Sequence, residues 1–81
     1  MVEVYGVDWC VDTQRTRRLL DRLGVAYQYI NVEQDQKASD WVKQQNNGKE
    51  RKPTVKIGAQ VLAEPSDQAL EQALRQEGVL S

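Results

Sequence analysis

The chain has 81 residues, with 11 Lys and Arg against 12 Asp and Glu, a formal net charge of −1, no histidine and one cysteine. This length predicts one small domain over residues 1–81, and the charge balance argues against electrostatic capture of nucleic acid. Without histidine, Cys–His hydrolysis and most zinc chemistry are disfavoured, so no metal site is expected. A single cysteine cannot form an internal disulfide, and no apolar run has the length of a membrane span. We therefore expect a cytoplasmic protein with no membrane segment.

The first half of the chain has the pattern of a strand, a helix and a second strand. Residues 2–5 predict a strand, residues 11–23 predict a helix with a stripe of leucines, and residues 26–32 alternate with period two as a strand does. Gly24 is expected to end the helix in a left-handed conformation. A strand, a helix and a strand in this order predict a parallel, right-handed βαβ unit.

The second half predicts a helix over residues 36–45, a hairpin of two strands over 54–57 and 60–63, and a last helix after Ser66. Asp35 and Ser66 are expected N-caps. Their short side chains place an oxygen within reach of the free N–H groups of a helix start. The predicted order of elements is β-α-β-α-β-β-α.

Cys10 stands at the turn between the first strand and the first helix. Unpaired N–H groups and the helix dipole favour a negative charge at such a turn, and the thiolate is the reacting form of cysteine. A lone cysteine is more commonly an inert, buried residue, but the turn predicts exposure, so we interpret Cys10 as reactive. Asp12 opposes the thiolate by like-charge repulsion, and Arg15 is interpreted as part of a solvated helix face. With no second cysteine, Cys10 must react with something outside the chain.

Three short motifs occur at characteristic places along this pattern. They are Tyr5-Gly6-Val7-Asp8-Trp9-Cys10, Pro53-Thr54-Val55, and Pro65-Ser66-Asp67 before the last helix. In this order and at this spacing they resemble the glutaredoxin family, and the resemblance covers essentially the whole chain. It implies an α/β protein with the minimal thioredoxin fold, in which three helices flank a four-stranded mixed sheet.

The resemblance implies a monothiol thiol–disulfide oxidoreductase of cell redox homeostasis, because Thr13 stands where dithiol glutaredoxins have a second cysteine. Cys10 would take glutathione from a mixed disulfide and be released by a second glutathione. Thr13 either donates to the Cys10 thiolate or only caps the helix. The expected partners of this monomer are glutathione and glutathionylated or thiol-containing proteins. An iron–sulfur cluster is disfavoured, since the site lacks the glycine and phenylalanine of the cluster-carrying Cys-Gly-Phe-Ser motif.

The resemblance also implies a glutathione site. Pro53 matches the family's cis-proline, with a trans-proline at the start of a strand as the alternative, and Lys52 would lend its backbone to the cysteine portion of glutathione. Ser66 and Asp67 match the pair that holds the γ-glutamyl group, at a helix start that also favours anions; the alternative is an ordinary N-cap. Trp9 would be an exposed platform for glutathione or a partner protein, or would pack against the first helix.

Several positions depart from the family pattern. Val7 stands where a lysine commonly pairs with the glycine carboxylate of glutathione, which leaves Lys49 or Arg51 as candidate replacements. Lys52 replaces an apolar residue, and Glu64 replaces a glycine where the ligand passes close to the backbone. These departures keep open an alternative function, that of a catalytically weak or inactive binding or regulatory module with a glutaredoxin fold.

Overall fold

The computed structural model describes residues 1–81 and contains four strands and three helices. In chain order they are β1 (Val2–Gly6), α1 (Val11–Arg22), β2 (Gln28–Asn31), α2 (Gln36–Gln45), β3 (Thr54–Ile57), β4 (Gln60–Ala63) and α3 (Asp67–Gln76). The predicted order of elements is therefore confirmed. None of the helices combines the length and the apolar character needed to cross a membrane.

The four strands form one mixed sheet in the order β2-β1-β3-β4. Strand β1 is parallel to β2 and antiparallel to β3, and β3 and β4 form the predicted antiparallel hairpin. The second strand is shorter than the predicted residues 26–32, because its length is limited by its neighbour. Strand β1 ends at Gly6, which pairs with Asn31, and the ladder begins with Glu3 opposite Gln28.

The helices cover both faces of the sheet. Val4 and Tyr5 are consecutive in β1, so their side chains point to opposite faces. Val4 belongs to the larger cluster of buried apolar residues, to which α1 and α3 contribute. Tyr5 stacks on Trp41 of α2, with 4.6 Å between the ring centroids. A smaller cluster on that side contains Val7, Val32, Ala38 and Val42, with Cys10 packed at its edge.

The ends of the helices are stabilised as the sequence predicts. Asp35 caps α2, with its carboxylate accepting a hydrogen bond from the Ala38 N–H at 3.0 Å, and Ser66 caps α3, with its hydroxyl accepting from the Ala69 N–H at 3.1 Å. Gly24 follows α1 with a φ of +69°, a left-handed conformation that glycine adopts at little cost. These caps fix where α1 ends and where α3 begins.

The substitution Leu20→Ala tests the packing of α1 against the sheet. Leu20 is fully buried in the larger cluster, so we expect the free energy of unfolding in urea to fall by about 3 kcal/mol. The control is Val11→Ala in the same helix, where the side chain is 74% exposed and the expected change is within about 0.5 kcal/mol. Similar losses for the two variants would contradict this assignment of the core.

Candidate active site around Cys10

Cys10 is the N-cap residue of α1. Its backbone is extended, its carbonyl oxygen accepts the first helical hydrogen bond from the Gln14 N–H at 3.0 Å, and its own N–H donates to the Val7 carbonyl at 3.3 Å. The backbone N–H groups of residues 11–13 have no acceptor within the protein. The half-buried thiol therefore lies at the positive end of α1, where a negative charge is stabilised.

The thiol also lies beside the peptide that precedes Pro53. The Lys52–Pro53 peptide bond is cis, so this prediction is confirmed. The Cys10 Sγ is 3.8 Å from the Lys52 carbonyl oxygen, to which the thiol donates a weak hydrogen bond. The sheet explains this proximity, because Tyr5 near the end of β1 pairs with Thr54 at the start of β3.

A groove with a volume of about 380 Å³ opens at Cys10. It is lined by Trp9, Cys10, Glu64 and the four residues 49–52, and we call it the Cys10 groove. Of the predicted glutathione-binding residues, Trp9 and Lys52 line it. Pro53, Ser66 and Asp67 do not line it, although Lys52, next to Pro53, and Glu64, two residues before Ser66, do.

Trp9 forms an exposed wall of the Cys10 groove. Its side chain is 63% exposed. Trp9 is therefore the exposed residue that the sequence suggests, and it is not packed against the first helix. The indole Nε1 donates to the Glu33 carboxylate at 3.1 Å, and the Lys52 ammonium lies 5.3 Å from the centre of the ring. This cation–π contact and hydrogen bond orient an indole that is otherwise free to contact a ligand.

Thr13 does not direct its hydroxyl to solvent. The residue is fully buried, and Oγ1 has no hydrogen-bond partner. The side chain packs against Gly6 so closely that a Cβ atom on Gly6 would lie 2.5 Å from Thr13 Oγ1. The hydroxyl thus forms no cap on α1, and the backbone N–H is the group through which Thr13 can donate to a thiolate.

The start of α3 is linked to α1 by Arg15. Its guanidinium lies 3.6 Å from the Asp67 carboxylate and 3.6 Å from the Asp12 carboxylate, and it donates to the Pro65 carbonyl at 3.4 Å. Arg15 is 45% exposed, as expected for a helix face in water, but it also bridges two helices. It partly offsets the negative charge of Asp12 near Cys10.

A model of the glutaredoxin family matches residues 2–62 of the chain. The sequence is 40% identical over 55 residues to mycoredoxin 1 of Corynebacterium glutamicum, a match that spans 68% of this chain and 67% of that protein. The chain belongs to the glutaredoxin family. It is thus a thiol oxidoreductase of that family, similar in sequence to mycoredoxin.

Solved glutaredoxin structures have the same fold. The glutaredoxin of Archaeoglobus fulgidus superposes with a TM-score of 0.80 at 25% identity, over 91% of this chain and 85% of that one. The buckwheat glutaredoxin–glutathione complex superposes with a TM-score of 0.73 at 23% identity, over 99% of this chain and 81% of that one. The predicted glutaredoxin-like fold, a four-stranded mixed sheet flanked by three helices, is confirmed.

In this member of the glutaredoxin family, a polar network that the sequence analysis missed holds the loop before Cys10. The Tyr29 hydroxyl donates to the Asp8 carboxylate at 2.6 Å, and the Arg17 guanidinium lies 3.9 Å from the centre of the Tyr29 ring. Arg17 Nε also donates to the Tyr27 hydroxyl at 3.2 Å. Tyr27 and Tyr29 are half-buried at the edge of the larger cluster.

Two tyrosines have pKa values raised by their surroundings. Burial and a hydrogen bond to the Asp8 carboxylate raise the pKa of Tyr29 to about 12. Burial and a hydrogen bond to the Glu3 carboxylate raise the pKa of Tyr5 to about 12. In both cases the neutral phenol is favoured, because a phenolate would be partly desolvated and would face a carboxylate.

The substitution Thr13→Val tests whether the Thr13 hydroxyl supports Cys10. Because Oγ1 has no acceptor, we expect the free energy of unfolding to stay the same or rise by about 1 kcal/mol, with an unchanged rate of Cys10 alkylation by iodoacetamide. Thr16→Val is the matched control, since the Thr16 hydroxyl is buried without a partner in the same helix. Slower alkylation in Thr13→Val alone would assign the hydroxyl a role at the thiol.

The raised pKa values predict how stability depends on alkaline pH. A phenol whose pKa is higher in the folded than in the unfolded chain contributes stability that is fully present below pH 10 and is lost as the pH rises to about 12. We expect an ultraviolet titration to show two tyrosines ionising near pH 12. Tyr29→Phe should remove one of them, and Asp8→Asn should lower the pKa of Tyr29. If the titration of Asp8→Asn is identical to that of the wild type, the Asp8 carboxylate does not contribute to the raised pKa of Tyr29.

Proposed function

We propose that the protein is a monothiol thiol–disulfide oxidoreductase of redox homeostasis, in which Cys10 releases glutathione from mixed disulfides. The observation that supports this most directly is the position of the thiol. It lies at the positive end of α1 and 3.8 Å from the carbonyl oxygen of Lys52, the residue that precedes the cis-proline. Membership in the glutaredoxin family supports this class of chemistry, and the single cysteine favours the monothiol route.

The reaction proceeds by two exchanges at sulfur. The Cys10 thiolate attacks the glutathione sulfur of a mixed disulfide, so that the bond between Cys10 and glutathione forms while the substrate thiolate leaves and takes a proton from water. A second glutathione thiolate then attacks the sulfur of the bound glutathione. This step forms oxidised glutathione and returns Cys10 as a thiolate, beside the free N–H groups of residues 11–13. Thr13 cannot resolve the adduct internally, because it has no thiol.

The proposed glutathione site extends from Cys10 toward α3. The Lys52 N–H has no acceptor within the protein, so the backbone beside Pro53 is available to pair with an extended peptide as a sheet edge does. Trp9 supplies an exposed ring in the same groove. At the far end, Ser66 and Asp67 at the start of α3 would take the γ-glutamyl group, which has both a carboxylate and an ammonium.

A second candidate function is that of a catalytically weak binding module. The observation that favours it is the ion pair between Arg51 and Glu64, at 3.1 Å, because both residues line the Cys10 groove. An ion pair in this position occupies space and charge that a bound peptide would need. The two functions differ in whether turnover depends on Cys10.

The test is the rate at which the protein releases glutathione from a glutathionylated peptide in the presence of reduced glutathione. We expect a rate well above background for the wild type and a background rate for Cys10→Ser, with mass spectrometry showing one glutathione on Cys10 of the wild type. Urea unfolding of both proteins verifies that they are folded. Replacing glutathione by free cysteine as the attacking thiol measures specificity, and we expect a slower reaction. A folded wild type without a rate that depends on Cys10 would contradict the enzyme and support the binding module.

A further inference from the structure

We propose that Glu64 is an internal competitor for Arg51 in the Cys10 groove. In this proposal Arg51 is a specificity-determining residue that binds a carboxylate of the low-molecular-weight thiol, and the Glu64 carboxylate occupies the same guanidinium when no ligand is bound. The inference rests on the proposed function, since it assigns the groove to an acidic thiol such as glutathione. Glu64 thereby lowers the affinity of the site for such a thiol.

The ion pair joins two of the three chain segments that line the groove. Arg51 Nη1 lies 3.1 Å from Glu64 Oε2, and both side chains line the same cavity as Cys10. The backbones on both sides are held by the sheet, because the Glu64 N–H donates to the Pro53 carbonyl at 2.8 Å and Thr54 pairs with Ala63. Only the two side chains need to move for the pair to open.

The backbone conformation of Glu64 is unusual for a residue with a side chain. Its φ is +49°, in the left-handed region that favours glycine. A residue with a Cβ atom is disfavoured there, and such residues cluster at ligand sites. The left-handed backbone follows directly after β4, and the side chain that it presents forms an ion pair with Arg51.

The pair is weak enough for a ligand to replace it. The side chains of Arg51 and Glu64 are 46% and 42% exposed, and ion pairs with that much exposure are strongly screened by water. Of the other groove charges, Glu50 accepts a hydrogen bond from the Ser39 hydroxyl at 3.3 Å, and Lys52 lies over Trp9. Of the ion pairs in the protein, the Arg51–Glu64 pair is the only one in which both partners line the groove. A ligand carboxylate that binds Arg51 therefore competes directly with Glu64.

The experiment measures the affinity of S-methylglutathione, which has carboxylates but no reactive thiol. All variants also contain Cys10→Ser, so binding is measured without disulfide exchange, by calorimetry or NMR titration. We expect Glu64→Gln to bind the ligand about threefold or more tightly than the parent does, a gain of the size that an exposed ion pair can withhold. Arg51→Gln should bind it more weakly. The dialkyl ester of the ligand should bind the parent and Glu64→Gln equally.

Two controls separate competition for Arg51 from a general change in charge. In a chain that already contains Arg51→Gln, Glu64→Gln should give no gain in affinity. Glu71→Gln, which removes the same charge from a surface pair with Arg75 on α3, should leave affinity unchanged. The proposal is overturned by an equal gain in the Arg51→Gln background, by an equal gain with the ester, by equal affinities of the parent and Glu64→Gln, or by no binding to any variant.

The outcome is independent of the test of turnover. A Glu64 effect on binding in a protein without a rate that depends on Cys10 would overturn the proposed catalysis and support the competition. Turnover through Cys10 without a Glu64 effect on binding would overturn the competition and leave the proposed catalysis in place.

Discussion

The antiparallel pairing of β1 with β3 determines where the chemistry of this protein can occur. Two antiparallel neighbours bring the end of one strand next to the start of the other. Here Tyr5 pairs with Thr54, so the loop that leaves β1 toward Cys10 meets the loop that enters β3 through Pro53. The thiol and the Lys52 backbone are more than forty residues apart in the chain and yet lie 3.8 Å apart. Neither loop alone could form this site.

The close approach of α1 to β1 is the second constraint, and it depends on a glycine. Gly6 leaves room for the Thr13 side chain, which a Cβ atom at that position would displace. Because Thr13 is in the first turn of α1, this contact fixes the height of the helix start relative to the strand. The position of Cys10, directly before that turn, follows from it. A hydroxyl buried without a partner is unfavourable, so shape rather than hydrogen bonding accounts for this contact.

The sequence predicts features that depend on local pattern and misses those that depend on side chains meeting across the fold. The caps Asp35 and Ser66, the hairpin and the helix bounds follow from residues that are adjacent in the chain, and the structure has them. The cis geometry before Pro53 came from the family resemblance. The sequence does not decide between the two roles of the Thr13 hydroxyl, because its direction depends on the contact with Gly6 in β1. The contact of Tyr29 with Asp8 has no signal in the sequence beyond the alternation of its strand.

The carboxylates around Cys10 present an apparent conflict, since a thiolate is destabilised by nearby negative charge. The structure reduces this conflict by giving a donor within the protein to four carboxylates: two close to Cys10 in the chain, one that contacts Trp9 and one that lines the groove. The partners are Tyr29 for Asp8, Arg15 for Asp12, Trp9 for Glu33 and Arg51 for Glu64. The two arginines offset charge, while the two neutral donors hold a carboxylate in place. The free N–H groups of residues 11–13 have no such internal partner. The start of α1 is therefore the part of the site that remains available to an anion, and Cys10 is the residue that caps it.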